Sequence, residues 1–248
     1  MEKKKTYFAS DFHLGLSAGT DPLEREKRVT AWLRSISADA ASVYLLGDIF
    51  DFWWEYKKVV PKGFTRFLGT LSEMTDSGIK VVLFTGNHDM WMRDYLIKEC
   101  GVQIITRPLL TAIDGKRFYL AHGEGLGSKS LGFRFLLAFF HWRFAQRIFT
   151  AINPRYGIGF GHTWSHHSRL AKGISVPFMG EDKEDLIRHT KQIIDEGCNA
   201  DFFIYGHRHL ALDYEVKGKK MIILGDWFRR NSYAVWDGVN LVFKSTPV

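Results

Sequence analysis

Six short segments place a carboxylate, an amide or an imidazole where an apolar run ends. They are Ser10-Asp11-Phe12-His13, Gly47-Asp48-Ile49-Phe50-Asp51, Gly86-Asn87-His88-Asp89, Ala121-His122-Gly123-Glu124, Gly206-His207-Arg208-His209 and Gly225-Asp226. Imidazole nitrogen combined with carboxylate and amide oxygen suits Mn²⁺, Fe²⁺ or Zn²⁺ rather than Ca²⁺. The two cysteines, Cys100 and Cys198, fall in none of these segments, which excludes a structural Cys-zinc site. Asp11 and His13 are alternate residues, as are His207 and His209. Both members of such a pair reach one pocket only if the strand has ended and the chain has turned. A single Asp-x-His or His-x-His is more often a satisfied structural pair, but the recurrence of such clusters in one chain has no structural explanation.

The elements that must position these residues alternate. Strand-like runs occupy residues 6–10, 43–46, 80–85, 102–105, 118–121, 202–205 and 221–224, many apolar on both faces, as in a sheet covered on both sides. One helix is expected from Asp21-Pro22, with Asp21 as N-cap and Val29, Leu33 and Ile36 on one face. Others are expected over about 64–76, ending at Gly78, and about 181–196, ending at Gly197. The pattern predicts an α/β fold with a layered sheet core, and ligands in such folds gather at the carboxyl ends of strands.

At 248 residues the chain fits one large domain, 1–248, with an insertion at 128–172. Apolar residues make up 46% and charged residues 25%, which excludes disordered and fibrous classes. Two cysteines cannot form a disulfide framework, and the residues before the first strand do not read as a secretory signal, so a cytoplasmic setting is expected. The greasiest window, 135–142, lies between Arg134 and Arg143 and is far short of the roughly 20 residues of a membrane span. Net charge is +7, and its placement is uneven. Residues 125–180 contain no Asp or Glu but carry Lys129, Arg134, Arg143, Arg147, Arg155, Arg169 and Lys172. Phe133, Leu136, Leu137, Phe140 and Phe144 recur there at helical spacing, with Phe135, Phe139, Trp142, Ile148 and Phe149 filling much of the rest. A helix apolar on most sides buries against protein or touches lipid. The block is expected to be an insertion lying over the sheet edge.

Asp-x-His, Gly-Asp-x-x-Asp, Gly-Asn-His-Asp, a lone His-Gly and Gly-His-x-His, spread from residue 11 to residue 209, resemble the five signature blocks of the calcineurin-like metallophosphoesterase superfamily. The resemblance implies a four-layer α/β/β/α sandwich and two divalent metal ions. It implies that Asp11, His13 and His209 hold one ion, that Asn87, His122 and His207 hold the other, and that Asp48 bridges them. Two neighbouring cations repel, and an anionic bridge offsets that repulsion. His88 takes the role of a histidine beside the phosphate that is not a ligand, stabilising the transition state or protonating the leaving oxygen, with Asp89 placed to orient it. Asp51 is expected to support the Asp48 loop. Glu124 and Asp226 are expected to support the ligands rather than bind metal.

The length, the run Gly47-Asp48-Ile49-Phe50-Asp51-Phe52-Trp53 and the basic, aromatic insertion after His122-Gly123-Glu124 are similar to the UDP-2,3-diacylglucosamine diphosphatase family of lipid A synthesis. Asn153–Phe160 and Trp164–Arg169 look like the version in Bacteroidetes-type members. That resemblance implies cleavage by water at the uridine-linked phosphorus of UDP-diacylglucosamine, with Mn²⁺ as the first candidate metal. It also implies a peripheral position on the cytoplasmic face of the inner membrane. Better-known members carry Gly-Asn-Arg-Asp where this chain has Gly-Asn-His88-Asp, so an arginine's bidentate phosphate grip must come from elsewhere. Arg155, Ser165, Arg169 and Lys172 are the expected polar substrate contacts and Phe140 an apolar one. A soluble nucleotide or nucleic acid is the alternative substrate, disfavoured because Phe, Leu and Trp dominate the insertion. A metal-binding scaffold without activity would show lost ligands, whereas all seven are present. No obligate protein partner is expected.

Overall fold

The structure is a computed structural model describing residues 4–17, 20–128, 132, 135, 138–140, 142–154, 156, 157, 159 and 177–247. Among the described residues, eleven strands form two sheets. The first sheet contains β1 (Lys5–Ala9), β2 (Ala40–Leu46), β3 (Lys80–Phe84), β4 (Gln103–Ile105), β10 (Arg230–Trp236) and β11 (Leu241–Pro247), in the order β11-β10-β1-β2-β3-β4. The second contains β5 (Leu109–Ile113), β6 (Lys116–Ala121), β7 (Phe202–Tyr205), β8 (Ala211–Val216) and β9 (Lys219–Leu224), in the order β5-β6-β7-β9-β8. Strands β1 to β4 run parallel, as do β6, β7 and β9, so their carboxyl ends share a side within each sheet.

The two-residue period of a strand sorts these side chains into layers. Phe8, Tyr44, Leu46, Val82 and Phe84 meet Phe118, Leu120, Ile204, Ile222 and Leu224 between the sheets. Phe8 and Phe118 stack across that interface at 5.6 Å. The alternate residues Tyr7, Ala9, Val43, Leu45, Val81 and Leu83 face α1 (Pro22–Ile36) and α2 (Thr65–Asp76). On the far side Ala121, Phe203, Tyr205, Met221 and Ile223 pack with Leu186 and Ile187. Those two residues belong to α5 (Asp185–Asp195). The order is therefore helix, sheet, sheet, helix. Also described are the helices α3 (Tyr95–Cys100) and α4 (Arg143–Ala151).

Asp21 caps α1, its Oδ1 accepting the Leu23 amide at 3.1 Å, with Val29, Leu33 and Ile36 buried as the periodicity predicts. α2 has no side-chain cap of its own; buried Glu26 of α1 instead accepts the amides of Arg66 (3.0 Å) and Phe67 (3.1 Å). This satisfies two of the donors that a helix start leaves open.

Within the insertion, α4 sits on the loops that follow β2 and β3. Phe149 packs against Trp54 at 4.3 Å between centroids, and Phe140 meets Trp91 edge-on at 5.7 Å. The described part of the insertion thus rests on these loop aromatics rather than over a sheet edge, because Phe52, Trp54, Tyr56 and Trp91 form an apolar seat there. Phe144, one of the residues at helical spacing, is 55% exposed, and Phe133, Leu136 and Leu137 lie outside the described residues.

Candidate metal centre

Every proposed ligand sits just past a strand end. Asp11 and His13 follow β1, Asp48 follows β2, Asn87 follows β3, His122 follows β6, and His207 and His209 follow β7. The turn that alternate ligands required is visible in the backbone. Asp11, His13, Asp48, His207 and His209 all have positive φ, between 44° and 67°. Left-handed backbone in residues other than glycine costs of order 1–3 kcal/mol each, less for Asp and His, and persists where the surroundings enforce it. Here neighbouring loops enforce it: the Asp11 and His13 amides donate to the Gly47 and Asp48 carbonyls, both at 3.0 Å.

Glycines give the ligands room. A Cβ on Gly86 would lie 2.3 Å from Asp48 Oδ1 and 2.8 Å from His122 Nε2. One on Gly206 would lie 2.7 Å from Asp11 Oδ2. At Gly47, φ of +84° and a Cβ position 2.6 Å from His122 Nδ1 both exclude a side chain.

The donor atoms of the proposed ligands converge in two overlapping groups, Asp11/His13/Asp48/His209 and Asp48/His122/His207, and a third group joins His13 to Asp51 and His88. In the first, His13 Nε2 and His209 Nε2 are 3.0 Å apart, and Asp11 Oδ1 is 3.2 Å from His209 Nε2. Asp48 Oδ2 lies between the groups, 3.7 Å from His13 Nε2 and 3.4 Å from His122 Nε2. Metal–ligand bonds of about 2.1 Å at octahedral or tetrahedral angles put donors roughly 3.0–3.4 Å apart, which these spacings approach. Within the cluster, two buried atoms that can accept, Asn87 Oδ1 and His122 Nε2, have no hydrogen bond among the described residues. Buried polar atoms are ordinarily satisfied, so a cation is the missing partner that fits both. His122 Nδ1 donates to the Leu46 carbonyl at 2.7 Å, which turns the Nε2 lone pair inward. The residues present therefore fit two divalent ions sharing Asp48.

Electrostatics agree. Burial opposes ionisation of Asp48, but the positive charge of His122, His88 and His13 overcomes it and holds the carboxyl well below the usual range. Burial likewise opposes charge on His122, yet Asp48 raises this imidazole well above its ordinary value. A cation at His122 Nε2 would therefore compete with the proton that Asp48 favours there.

His88 stands at the edge of the cluster, its ring 4.9 Å from that of His13. Its Nδ1 donates to the Asp51 carbonyl at 3.0 Å, since a carbonyl can only accept. That leaves Nε2 as the other working nitrogen. The expectation that Asp89 orients His88 is corrected here. Asp89 is fully buried and turns back into the Asp48 loop. Its Oδ2 accepts the Ile49 (2.7 Å) and Phe50 (3.2 Å) amides, and its Oδ1 accepts those of Gly86 (2.7 Å) and Asp48 (3.3 Å). Burial and the charge of Asp48 push its carboxyl up to about 7. Asp51 does more than steady the Asp48 loop: besides holding His88, its Oδ1 lies 3.8 Å from His13 Nδ1. Asp226 is a support, accepting the Phe228 and Arg229 amides at 3.2 and 2.8 Å. Burial pushes the Glu124 carboxyl up, and no role beyond support follows for it. Phe140 lies beside Trp91, three residues from His88, and its carbonyl accepts Trp91 Nε1 at 3.3 Å. Arg155, Ser165, Arg169 and Lys172 lie outside the described residues.

Sequence reasoning missed several supports. Ser10 donates to Asp11 Oδ2 at 2.5 Å. Arg208 forks onto buried Glu184 at 2.9 and 3.0 Å, fixing the loop that carries His207 and His209. Arg25, wholly buried, donates to the carbonyl of His13. A signal for Arg25 existed, because it precedes Val29 by four residues and so extends the stripe of Val29, Leu33 and Ile36 by one turn.

Two facing sheets that close, at their strand ends, on paired cation sites sharing one carboxylate define a metal-dependent phosphoesterase. The sequence model of calcineurin-like phosphoesterases matches residues 4–211, and the chain belongs to that family. Among curated relatives, the chain is 40% identical to the UDP-2,3-diacylglucosamine hydrolase of Porphyromonas gingivalis, over 98% of both chains. It is 23% identical to the protein of that name from Ralstonia nicotianae, covering 89% of this chain and 83% of the relative. The corresponding Haemophilus influenzae protein is 24% identical, with 93% of each covered. A solved structure described as a novel archaeal phosphodiesterase has the same fold, with TM-score 0.50, 14% identity and coverage of 98% of this chain and 99% of that one.

Proposed function

We propose that this protein hydrolyses the pyrophosphate of UDP-2,3-diacylglucosamine, releasing UMP and 2,3-diacylglucosamine 1-phosphate, with Mn²⁺ as the preferred pair of ions. The observation that carries the reading is the seat of the insertion. Phe140 and Phe149 rest on Trp91 and Trp54, in the loops that also supply Asp48, Asn87 and His88. An apolar cap packed on the catalytic loops suits a substrate that is a diphosphate at one end and acyl chains at the other. The curated relatives described above bear a name that fits the same substrate.

Asp11, His13 and His209 would hold one ion and Asn87, His122 and His207 the other, with Asp48 shared. Bound divalent ions polarise phosphoryl oxygens and make a coordinated water nucleophilic near neutral pH. With only two carboxylates, Asp11 and Asp48, in the ligand set, the loaded centre stays positive towards a diphosphate. Water adds to the uridine-linked phosphorus. The bond from that phosphorus to the bridging oxygen breaks, and the bridging oxygen departs with the sugar phosphate. His88, held through Nδ1 on the Asp51 carbonyl, presents Nε2 to the phosphate and handles the proton of the leaving oxygen. Arg155, Ser165, Arg169 and Lys172 supply polar substrate contacts, and Phe140 lines the acyl trough.

Phe135, Phe139, Trp142, Phe144 and Ile148 are each more than half exposed. With the basic residues of the insertion, each worth about 1 kcal/mol near anionic lipid, they suit peripheral attachment to the cytoplasmic face of the inner membrane. Among the described residues no helix is long and apolar enough to cross a membrane.

The test is incubation of the Mn²⁺-loaded protein with UDP-2,3-diacylglucosamine in micelles, following UMP, beside a small soluble phosphodiester. Phe140→Asp places a charge in the apolar trough. It is expected to collapse diacyl-substrate turnover while the small ester is still cleaved. Equal retention of both activities in that variant points to a soluble nucleotide substrate, and absence of UMP from the wild type refutes the reading.

A further inference from the structure

Two guanidinium groups grip the backbone of the two histidines that share one half of the centre. Arg25 of α1 donates from Nη1 to the carbonyls of His13 (2.9 Å) and Leu16 (3.0 Å), and from Nη2 to Thr20 Oγ1 (3.0 Å). Arg229, between β9 and β10, donates from Nη2 to the carbonyl of His209 at 2.8 Å and from Nε to Asp226 Oδ2 at 2.9 Å. Both guanidinium groups lie over the ring of Phe228. The two guanidinium carbons stand 5.8 Å (Arg25) and 5.3 Å (Arg229) from the centre of its ring. The same ring meets the His13 imidazole at 6.0 Å and that of His209 at 5.1 Å, both edge-on.

His13 and His209 are also two of the left-handed residues, with φ of 44° and 50°. The His13 carbonyl accepts the Leu16 amide at 3.1 Å and takes Arg25 as a second donor, while the His209 carbonyl takes Arg229. A planar fork with several fixed donors suits these contacts, and a lysine's single point charge does not. The other half of the centre is fixed differently. His122 is held by its own Nδ1 on the Leu46 carbonyl, and the His207 amide donates to both Asp11 oxygens at 3.0 and 3.2 Å.

We propose that Arg25, Phe228 and Arg229 are positioning residues for one ion only, the one held by Asp11, His13 and His209. The brace places the two imidazoles so that both Nε2 atoms face one point, and its link to the other half runs through Asp11, which accepts the His207 amide. The inference rests on the two-ion reading of the cluster and not on the identity of the substrate.

The test is metal binding by the full-length protein, stripped of metal and titrated with Mn²⁺, followed by elemental analysis and electron paramagnetic resonance. Arg229→Ala is the primary variant, because Arg229 is partly exposed and its truncation leaves the core intact. One ion should bind about tenfold more weakly or worse, as when a ligand's hydrogen-bonded support is lost, while the other stays within about twofold. The spectrum should change from an exchange-coupled pair to an isolated Mn²⁺. Two backgrounds assign the site by the logic of a double-mutant cycle. With Asn87→Ala, which weakens the other site, adding Arg229→Ala should remove the remaining tight binding. With His13→Ala, adding Arg229→Ala should change nothing further. Arg229→Lys should behave as Arg229→Ala. Arg25→Met is the companion variant, and if it does not fold the Arg229 set decides alone. Weakening of both ions alike, or of neither, overturns the proposal. A wild-type chain that binds fewer than two ions overturns the two-ion reading and this inference with it.

Discussion

Gly86→Ala is expected to disable the centre through a single methyl group. The added Cβ would stand 2.3 Å from Asp48 Oδ1, 2.6 Å from the Asp48 amide nitrogen and 2.8 Å from His122 Nε2. Ordinary contact begins near 3.5 Å, so the Asp48 carboxylate must retreat by roughly 1 Å. Metal sites tolerate only about 0.2 Å of ligand displacement, and this carboxylate is the one that both ions would share. Misplacement by about 1 Å costs on the order of 10²-fold in rate, so cleavage of a soluble phosphodiester should fall at least that far. Crowding a packed interior costs about 1–3 kcal/mol, and for a chain of this length each kcal/mol lowers the melting temperature by about 2–4 °C. The metal-free variant should therefore melt a few degrees low while remaining folded. Two companions calibrate the result. Gly206→Ala crowds Asp11 Oδ2 at 2.7 Å and Ser10 Oγ at 2.8 Å, and should weaken the Asp11 side first. Gly69→Ala, in α2 with no atom within 4 Å of the new Cβ, should leave activity unchanged and stabilise by about 0.5–1 kcal/mol. The assays are elemental analysis after dialysis, thermal melting with and without metal, and steady-state hydrolysis. Retention of two ions by Gly86→Ala with near wild-type turnover would refute the reasoning.

Asp89→Asn should destabilise the fold rather than change acid–base behaviour. The new amide would aim its own N–H groups at two of the four backbone donors that Asp89 accepts, at about 1–3 kcal/mol each. A denaturant melt should show a loss of roughly 2–6 kcal/mol, with the pH–rate profile of the residual activity unshifted. A wild-type melt with a shifted profile would return Asp89 to the role of His88's partner. The His122–Asp48 pair also predicts a pH dependence of opposite sign for the metal-free and the loaded protein. The folded-state value of His122 is raised, so its contribution to the stability of the metal-free protein is full below the unfolded value, near 6.5, and is lost as pH rises through the folded value. Ion binding must displace that proton, so Mn²⁺ affinity should rise with pH and calorimetry in two buffers should register about one proton released. Affinity that is flat between pH 6 and 8 would contradict this linkage.

The layers were legible in the sequence where burial was two-sided. β2, β3, β7 and β9 are dense apolar runs, and the alternation of Val43, Tyr44, Leu45 and Leu46 between two cores gives no polar gap to misread. The strands that escaped notice are β5, β8, β10 and β11. β5 and β8 alternate buried or half-buried with exposed residues at the edges of their sheet, and β8 carries Asp213 and Glu215 within it. Edge position permits such polarity, since one face and one ladder edge meet solvent. β10 begins with Arg230-Asn231-Ser232 and is recognisable as a strand only by pairing with β1 and β11. α3 spans six residues, too few for a periodic pattern to register.

The site divides along a similar line. The ligands were legible because metal chemistry restricts residue type, and type is what a sequence records. Their supports were not, because a carbonyl or an amide can be served by almost any donor or acceptor that the fold brings near. His88 shows the difference within one segment. Its neighbour Asp89 is adjacent in sequence and was the natural partner to expect, yet the two side chains serve different loops. The imidazole is held by the main-chain carbonyl of Asp51, which no residue type could have disclosed. The Asp89 carboxylate gathers four amides from the segments bearing Asp48 and Gly86. Both arrangements act on the backbone, and both bear on the same constraint, the left-handed turn at Asp48 with φ of 51°. That turn aims the carboxylate between the two halves of the centre, so its geometry depends on contacts made some 40 residues away in the chain.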